Sequence, residues 1–339
     1  MKALRALEVG ANRLGLVEVP KPSHLRPGEV LLRTLAVGVC GSDVHAWHGT
    51  QTYPMRYPVT LGHEASGVVA EVGPGVEGLA IGQRVVSETA RTVCGRCECC
   101  REGRYNLCQA RQGFGALSDG AMGEFFVTRY DIVHAVPDSV PDEVAALTEP
   151  YCVAYNATVE RARVRPGDSV TVIGPGPVGL FAAEIAGLCG ASDVLVVGLP
   201  GDDERLAVAE ALGASTTTDP GWWSREDLAN RSEVVIDSSG VSATLEAALA
   251  VVKPGGQVVK VGWGPEPYLR PLDALVAKAV ELHGSFSHTW STWERVLRLL
   301  GGGQLRPGRA LRTYDFDEWE KAFSAMAQRQ VSKAVLVLS

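Results

Sequence analysis

The chain has 339 residues, of which 46% are hydrophobic and 21% charged, and it carries a formal net charge of −7. At about 100–200 residues per domain, this length predicts two domains. The acidic balance argues against a surface for nucleic acid or anionic membranes, and no basic run reverses that conclusion. We therefore expect neither nucleic acid nor a membrane as a partner.

Residues 1–20 lack the continuous apolar core of a signal peptide. The most apolar stretch, residues 170–189, contains Gly174-Pro175-Gly176-Pro177 and Glu184. It therefore predicts a strand, a turn and a buried helix rather than a membrane span. Without a targeting signal, the cytoplasm is the expected compartment. In a cytosolic chain, clustered cysteines more often bind metal than form disulfides.

From residue 1 to about residue 150, short β-type runs are separated by glycine and proline. Residues 29–33, 67–72 and 83–86 are three of these runs. Short strands with frequent turns predict a β-barrel-like domain.

After Arg165-Pro166-Gly167-Asp168, apolar runs alternate with amphipathic helical stretches. This alternation is carried by residues 169–173, 180–188, 194–197, 205–212, 234–237, 245–252 and 258–261. It predicts βαβ units around a parallel sheet. A helical pattern at 292–300 and a final strand at 333–338 are placed with the first domain. Residues 1–150 and 288–339 then form one domain, and residues 151–287 form the other.

Four cysteines follow a metal-binding spacing on a charged loop that contains glycine. They are Cys94, Cys97, Cys100 and Cys108. Four sulfurs complete a tetrahedral shell and leave no open position, so the spacing predicts a structural zinc site, with an iron–sulfur cluster as the main alternative. Cys99 does not fit the spacing and is expected to be a free neighbour.

A second set of ligand types lies in Cys40-Gly41-Ser42-Asp43-Val44-His45 and Gly62-His63-Glu64. A thiolate and an imidazole leave room for a third protein ligand and a substrate oxygen, as a catalytic zinc requires. Glu64 and Glu149 are the carboxylate candidates. Cys40 or His63 alone would more often be a buried structural residue, but their combination with the other motifs favours metal.

Gly174-Pro175-Gly176-Pro177-Val178-Gly179 follows a strand-like run and precedes a helix-like run. Glycines at this spacing permit a tight turn and close approach of the backbone to a pyrophosphate at a helix N-terminus. The turn therefore predicts a dinucleotide site that involves Gly174, Gly176, Pro177, Val178 and Gly179.

An acidic side chain that holds the adenosine ribose is expected about 20 residues further on. Gly198 stands there instead, followed by a loop with Asp202, Asp203 and Arg205. Either an aspartate reaches back to the ribose, or the small residue makes room for a 2′-phosphate. The two aspartates would repel a phosphate, so NAD is slightly favoured over NADP. Asp202 and Asp203 can equally begin the following helix.

Together these motifs resemble the zinc-containing medium-chain dehydrogenases, within the polyol (sorbitol-type) and threonine dehydrogenase branch. The signature Gly62-His63-Glu64-x2-Gly67-x5-Gly73-x2-Val76 adds to the resemblance, which spans essentially the whole chain. It implies an α/β fold, in which a GroES-like β-barrel catalytic domain carries an inserted Rossmann domain with a doubly wound parallel sheet. It also implies a homodimer or homotetramer.

The resemblance implies one catalytic and one structural zinc. Cys40 and His63 would bind the catalytic ion together with Glu64, Glu149 or both, and Cys152 remains a minor alternative. An acidic residue at position 149 favours the polyol-like branch, since the alcohol dehydrogenase branch has a cysteine there.

Three residues near Cys40 acquire roles from the same resemblance. Asp43 would orient His63, Ser42 would take the proton of the alcohol, and His45 would pass that proton to solvent. Ser42 and Asp43 are also residue types that cap helices.

The resemblance further implies cofactor contacts at Ser238, at Val261 and Gly262, and at Ser285 and Phe286. In sorbitol-type enzymes an Arg-Tyr pair often follows that phenylalanine, whereas Ser287-His288 stands here, which points away from sorbitol itself. The aromatic residues Trp47, Tyr53 and Phe114 either line the substrate pocket or serve ordinary packing.

The expected reaction is reversible hydride transfer between a secondary alcohol and NAD or NADP, with a polyol, sugar or cyclitol hydroxyl as the substrate. Two alternatives remain open. One is a threonine-type or simple secondary-alcohol dehydrogenase, and the other is a non-catalytic relative that kept nucleotide binding.

Overall fold

The computed structural model describes residues 1–338, and the chain divides into two compact units. The first unit contains Met1–Glu149, His288–Gly303 and the segment from Leu311 onward. The second unit contains Pro150–Ser287 and Gln304–Ala310.

The first unit is built mainly of short strands. Before the chain enters the second unit, its elements are β1 (Lys2–Ala6), β2 (Leu14–Glu18), β3 (Glu29–Gly38), α1 (Gly41–His48), β4 (Val59–Thr60), β5 (Ala65–Val72), β6 (Arg84–Ser87), β7 (Ala90–Thr92), α2 (Glu98–Arg101), β8 (Gln112–Gly113), β9 (Phe125–Arg129), β10 (Val133–Ala135) and α3 (Asp142–Ala145). The next helix, α4 (Thr148–Tyr155), crosses the boundary between the units.

The second unit alternates strands and helices. Its elements are β11 (Ser169–Ile173), α5 (Pro177–Leu188), β12 (Asp193–Val197), α6 (Asp203–Ala211), β13 (Ser215–Thr217), β14 (Ser232–Asp237), α7 (Thr244–Val251), β15 (Val252–Lys260), α8 (Asp273–Ala277) and β16 (Glu281–Gly284). The chain then returns to the first unit with α9 (Trp290–Gly301), β17 (Leu311–Asp315), α10 (Trp319–Ala327) and β18 (Lys333–Val337).

The main sheet of the first unit has the strand order β10-β6-β5-β3-β18-β17, and β9 also pairs with β3. Only β17 and β18 pair in parallel, and the other neighbours are antiparallel. The final strand β18 lies against β3 with Val335 opposite Gly38. This register brings the beginning of β18 beside the residues that follow β3, where Cys40 lies.

The second unit contains a six-stranded parallel sheet with the order β13-β12-β11-β14-β15-β16. Numbered within the unit, this order is 3-2-1-4-5-6, which defines a doubly wound dinucleotide-binding sheet. Its strands are rich in buried valine and isoleucine because helices cover a parallel sheet on both faces.

Residues 304–310 belong to the second unit, although the sequence analysis placed them with the first. Leu305 is buried there, and the backbone N–H of Arg306 donates a hydrogen bond to Glu184 Oε1 on α5 at 2.6 Å. This segment lies between α9 and β17, so sequence order alone assigned it wrongly.

Within residues 1–338, no helix has both the length and the apolar character that crossing a bilayer requires.

Candidate active site and metal centres

The four cysteines of the charged loop lie together, with all four sulfur atoms within 4.8 Å of one another. The sulfur atoms of Cys94 and Cys100 are 4.0 Å apart. Four thiolates on a tetrahedral zinc at about 2.3 Å require sulfur–sulfur distances close to this value. Cys99 is not a member of the cluster, as the spacing predicted.

Backbone amides prepare this loop for thiolates. The N–H of Cys97 donates to the sulfur of Cys94 at 3.3 Å, and the N–H of Cys94 donates to the sulfur of Cys108 at 3.4 Å. Backbone donors at Arg96 and Cys97 lower the pKa of Cys94 to about 6, while desolvation raises the pKa of Cys100 to about 12. A cation is needed to ionise the whole set, so the donor chemistry fits zinc.

A second cluster brings Cys40, His63 and Glu64 together, with one ligand atom from each within 4.8 Å of the others. Cys40 lies between β3 and α1, and the other two residues lie between β4 and β5. Gly62 has a φ of +90°, and a Cβ there would lie 2.7 Å from Met122 Cγ. Only glycine fits this turn, which sets the direction of His63.

Asp43 fixes the thiolate side of the cluster. It occupies the third position of α1, where its carboxylate accepts the backbone N–H of Cys40 at 2.9 Å. This is helix capping by a buried acid, and the charge of the same carboxylate acts on His63. Burial raises the pKa of Asp43. The structure thus shows the capping role that the sequence left open for Asp43, and its orientation of His63 stays a prediction.

The surroundings of His63 favour a cation. Burial lowers the pKa of its ring, but the sulfur of Cys40 and the carboxylates of Asp43 and Glu149 outweigh burial and hold that pKa above its usual range. Negative potential at a thiolate–imidazole–carboxylate cluster is the environment that a zinc ion neutralises. The donor set of this second cluster therefore also fits zinc.

Lys333 is a residue of this site that the sequence analysis missed. Its ammonium group forms a buried ion pair with Glu64 and donates a hydrogen bond to the carbonyl of Val39 at 2.9 Å. Both side chains of the pair are 1% exposed. A lysine at the start of an apolar strand is normally expected at an exposed end. Glu64 therefore faces a fixed positive charge as well as the ligand cluster.

We expect Lys333→Met to lower the free energy of unfolding by about 3–5 kcal/mol, because it leaves Glu64 as an uncompensated buried charge. Chemical denaturation of zinc-saturated protein measures this loss. Lys321→Met is the matched control, since Lys321 forms an exposed pair with Glu318 and should change little. The double variant Lys333→Met/Glu64→Gln should recover part of the loss. Equal stability of Lys333→Met and the control Lys321→Met would contradict the buried ion pair.

Glu149, at the start of α4, lies outside the cluster of three ligand atoms, but its charge acts on His63. Its Oε1 atom is 3.1 Å from His288 Nε2. Burial opposes ionisation of Glu149, but its interactions with His288 and His63 hold its pKa below the usual value. Cys152 is buried further along α4 and belongs to neither cluster among residues 1–338.

Ser42 and His45 lie on α1 next to Cys40. Three residues apart, they share one face of the helix. Ser42 is half-buried and His45 is exposed, with its Nδ1 atom 2.9 Å from Thr50 Oγ1. The Tyr53 hydroxyl donates a hydrogen bond to the carbonyl of Ser42 at 2.8 Å.

Two of the three aromatic candidates belong to the core of the first unit. Trp47 packs edge-on against Trp319 and Phe323, and Phe114 packs edge-on against Phe126. Their geometry is that of ordinary packing, which the sequence analysis held open beside a pocket role.

A cavity of about 570 Å³ in the first unit is not at the metal clusters. It is lined in part by Arg5, Arg26, Arg56 and Arg91, and none of the proposed ligands contributes to its wall. Carboxylates already pair with three of these arginines. We therefore do not place the substrate there.

In the second unit, the glycine turn lies between β11 and α5 as the motif predicted. A Cβ on Gly179 would lie 2.0 Å from the carbonyl oxygen of Gly174, so close packing of helix on strand requires glycine there. Gly176 caps α5, and Pro177 and Val178 form its first turn. Nothing would contact a Cβ on Gly176, so the turn leaves open space above its backbone, as a bound pyrophosphate requires.

The charged side chains of the loop after β12 interact with groups of the same loop and of α6. Asp202 is buried, and its Oδ2 atom accepts the backbone N–H of Leu199 at 2.9 Å. Arg205 Nη1 lies 3.8 Å from Asp202 Oδ1. A Cβ on Gly198 would approach Leu206, Pro175 and Asp202 at 3.1–3.2 Å. Asp202 is therefore the N-cap residue of α6, a position that the sequence left open beside ribose binding, and its side chain closes the preceding loop rather than bonding to the helix amides.

The other predicted cofactor residues follow the carboxyl ends of adjacent parallel strands. Ser238 follows β14 and donates a hydrogen bond to the carbonyl of Gly174 at 2.9 Å. Val261 and Gly262 follow β15. Ser285 follows β16, and Phe286 contacts Trp263 with 5.7 Å between ring centroids. Ligands of doubly wound sheets bind at this edge.

Comparison with protein families gives two matches. Residues 26–138 match the alcohol dehydrogenase GroES-like domain, and residues 177–301 match the zinc-binding dehydrogenase domain. The predicted fold class is thereby confirmed.

Characterised relatives cover nearly the whole chain. A sorbitol dehydrogenase of Halalkalibacterium halodurans is 34% identical, with 99% of each chain covered. An L-threonine 3-dehydrogenase of Pyrococcus horikoshii is 35% identical, with 95% of this chain and 94% of the relative covered.

Solved structures agree with the sequence relatives. The alcohol dehydrogenase TADH of Thermus sp. ATN1 superposes with a TM-score of 0.89 at 31% identity and full coverage of both chains. A dehydrogenase of Escherichia coli CFT073 complexed with NADH gives 0.88 at 27% identity, with 99% of each chain covered. A zinc-binding dehydrogenase of Sinorhizobium meliloti 1021 bound to NADP gives 0.86 at 28%, with 99% and 98% covered.

Fold and relatives together define an enzyme class, the zinc-dependent oxidoreductases that act on alcohols and polyols with a nicotinamide cofactor. Within this class, the chain belongs to the zinc-containing medium-chain alcohol/polyol dehydrogenase family.

Proposed function

We propose that this enzyme oxidises a secondary hydroxyl of a polyol, sugar or cyclitol, reversibly, at a catalytic zinc held by Cys40, His63 and one or both of Glu64 and Glu149. The observation that carries the proposal is the cluster of Cys40, His63 and Glu64, which is separate from the four-sulfur cluster. Three protein donors leave a coordination position for substrate, whereas four thiolates leave none. We assign one catalytic and one structural zinc accordingly.

The chain's own residues provide the proton path in this proposal. Ser42 accepts the proton of the substrate hydroxyl, and His45, on the same face of α1, releases it to solvent. Zinc supplies Lewis-acid chemistry that lowers the pKa of an alcohol oxygen. A bound nicotinamide would supply the hydride acceptor, and residues of the second unit would bind and orient it.

We propose NAD as the preferred cofactor. Asp202 lies against Arg205, so the nearest cation of the loop after β12 is already compensated. A 2′-phosphate would meet that buried carboxylate and the exposed Asp203 close by, and like charges repel. The backbone of the loop and Gly198 would then face the ribose without a cation for phosphate. Ser238, Val261, Gly262, Ser285 and Phe286 complete the proposed contacts at the sheet edge.

The substrate is proposed from the branch of relatives and from position 288. Sorbitol and threonine dehydrogenases are both relatives of this chain. His288 stands where sorbitol-type enzymes often have the tyrosine of an Arg-Tyr pair, so we favour a polyol other than sorbitol. Threonine is the second candidate, since an L-threonine 3-dehydrogenase is 35% identical over 95% of this chain.

We propose that the enzyme is a homodimer or a homotetramer. Strand β16 is an edge strand of the second unit's sheet. Leu282 on this strand is 44% exposed, and Leu269 and Val276, which precede the strand in the sequence, are 83% and 76% exposed. An exposed sheet edge with exposed apolar side chains on it and before it is a surface that a second copy of the chain can cover.

A substrate panel tests the proposal. Purified zinc-loaded protein is incubated with polyols, cyclitols, simple secondary alcohols and threonine, each with NAD and with NADP, and nicotinamide absorbance is followed. We expect turnover of one polyol group with NAD and its loss on chelation. Turnover that persists after complete zinc removal would refute the catalytic zinc. A preference for NADP would refute the proposal that the loop after Gly198 favours NAD.

A further inference from the structure

Three buried side chains form a chain of hydrogen bonds behind the catalytic cluster. Trp293 Nε1 donates to His288 Nδ1 at 2.7 Å, and His288 Nε2 lies 3.1 Å from Glu149 Oε1. The side chains of His288 and Glu149 are 1% and 9% exposed, and Trp293 is fully buried. Solvent therefore does not compete for these bonds.

The order of donors fixes the tautomer of the histidine. An indole N–H can only donate, so His288 Nδ1 must accept and carries no proton. The ring proton is then on Nε2, where it is donated to Glu149. His288 therefore donates to Glu149 through Nε2 and accepts from Trp293 through Nδ1.

The two carboxylates near His63 are thus held in different ways. Glu64 faces the buried ammonium group of Lys333, which compensates its charge. Glu149 accepts an N–H from the His288 ring, which orients the carboxylate, and its negative charge also acts on His63. Hydrogen bonds of this kind orient metal-ligating side chains and tune the metal.

The backbone before His288 is shaped for this contact. Ser287 has a φ of +56°, a left-handed conformation that a non-glycine residue adopts at a cost of about 1 kcal/mol or more. Its carbonyl accepts a hydrogen bond from Asn156 Nδ2 at 3.0 Å. Immediately afterwards α9 begins, with Trp293 in its first turn. The left-handed conformation of Ser287 directly precedes His288 and sets the direction in which the backbone carries its side chain.

We propose that His288 is a positioning residue that directs Glu149 towards the catalytic zinc, and that Trp293 holds His288 in the required tautomer. This inference rests on the proposed function, because it assumes the zinc centre at Cys40 and His63. It assigns Glu149, rather than Glu64 alone, as the carboxylate whose orientation the protein controls for the metal.

The test compares three variants with a matched control. His288→Leu removes the donor, and His288→Gln keeps an N–H at nearly the same place. Trp293→Phe keeps the ring but removes the tautomer lock. His24→Leu is the control, because His24 is exposed. Zinc release to a chromogenic chelator and the visible spectrum of cobalt-substituted protein are recorded beside kcat and KM.

We expect His288→Leu to speed zinc release from the catalytic site by roughly 10–100-fold and to shift the cobalt spectrum, with the four-cysteine site unchanged. His288→Gln should restore most of the wild-type behaviour, and Trp293→Phe should lie between the two. The kcat should fall more than KM changes, because the altered group does not hold the substrate.

Folded His288→Leu with unchanged zinc release and cobalt spectrum would overturn the proposal, as would His288→Gln that behaves like the leucine variant. If His288→Leu does not fold, Trp293→Phe decides, since a release rate and spectrum equal to wild type would refute the tautomer lock. Failure of the proposed function looks different, because wild-type protein would then hold no zinc outside the four-cysteine site.

Discussion

Replacement of Cys40 by serine should lower kcat/KM by on the order of a thousand-fold or more while the fold is retained. Loss of the thiolate removes one donor of the catalytic cluster and the charge that supports a cation beside His63. Lewis-acid stabilisation by a metal contributes several kcal/mol to the transition state, and about 1.4 kcal/mol corresponds to a factor of ten in rate. Initial rates at saturating cofactor measure the loss.

A matched serine variant separates this effect from general thiol loss. Cys189 is a free, half-buried cysteine that ends α5 in the second unit, far along the chain from both clusters. Cys189→Ser should keep nearly full activity. Cys40→Ser protein with unchanged circular dichroism, less bound zinc and no turnover is the expected result. Activity within a few-fold of wild type would show that Cys40 is not part of the reaction centre.

Cys94→Ser should act on stability. It breaks the closed shell of four sulfurs and removes the acceptor of the Cys97 N–H. Bound zinc should fall by about one ion per chain, because a site of three thiolates and a hydroxyl no longer retains the metal. The thermal midpoint should fall on the order of 5 °C or more.

The same loop offers a control for this second result. Cys99 lies within it but outside the cluster, so Cys99→Ser should keep both zinc ions and the wild-type thermal midpoint. Zinc content by atomic emission and unfolding by differential scanning fluorimetry give the two readouts. Equal behaviour of the two serine variants would mean that the loop holds no metal.

Local spacing carried most of the prediction. The four cysteines and the glycine turn lie within short segments, so their sequence order already determines which atoms can meet. The proximity of Cys40 and His63 could not be predicted from spacing, because they lie on two separate loops. It was predicted from their residue types together with the family resemblance. The parallel sheet followed from the alternation of strands and helices, and its doubly wound order from the resemblance, whereas the assignment of residues 304–310 to the second unit left no local signal.

Long-range partners of the site were not predictable in the same way. Lys333 reaches Glu64 because β18 pairs with β3, and nothing in the apolar final strand shows that register. His288 contacts Glu149 across 139 residues. Its position had a signal, since Ser287-His288 departs from the family's usual Arg-Tyr pair, but its hydrogen bonds to Trp293 and Glu149 appear only in the structure.

The contact between Glu149 and His288 also joins the two points where the chain leaves the first unit and returns to it. Glu149 is the last residue before the long excursion 150–287, and His288 is the first residue after it. The two residues of the first unit that flank residues 150–287 are therefore in contact. A unit whose two chain ends meet can accept an inserted segment without stretching, so residues 150–287 could be exchanged for those of a relative, provided that residues 304–310 of the same unit are exchanged with them. Recombination at Glu149 and His288 would give chimaeras that keep both metal clusters from one parent.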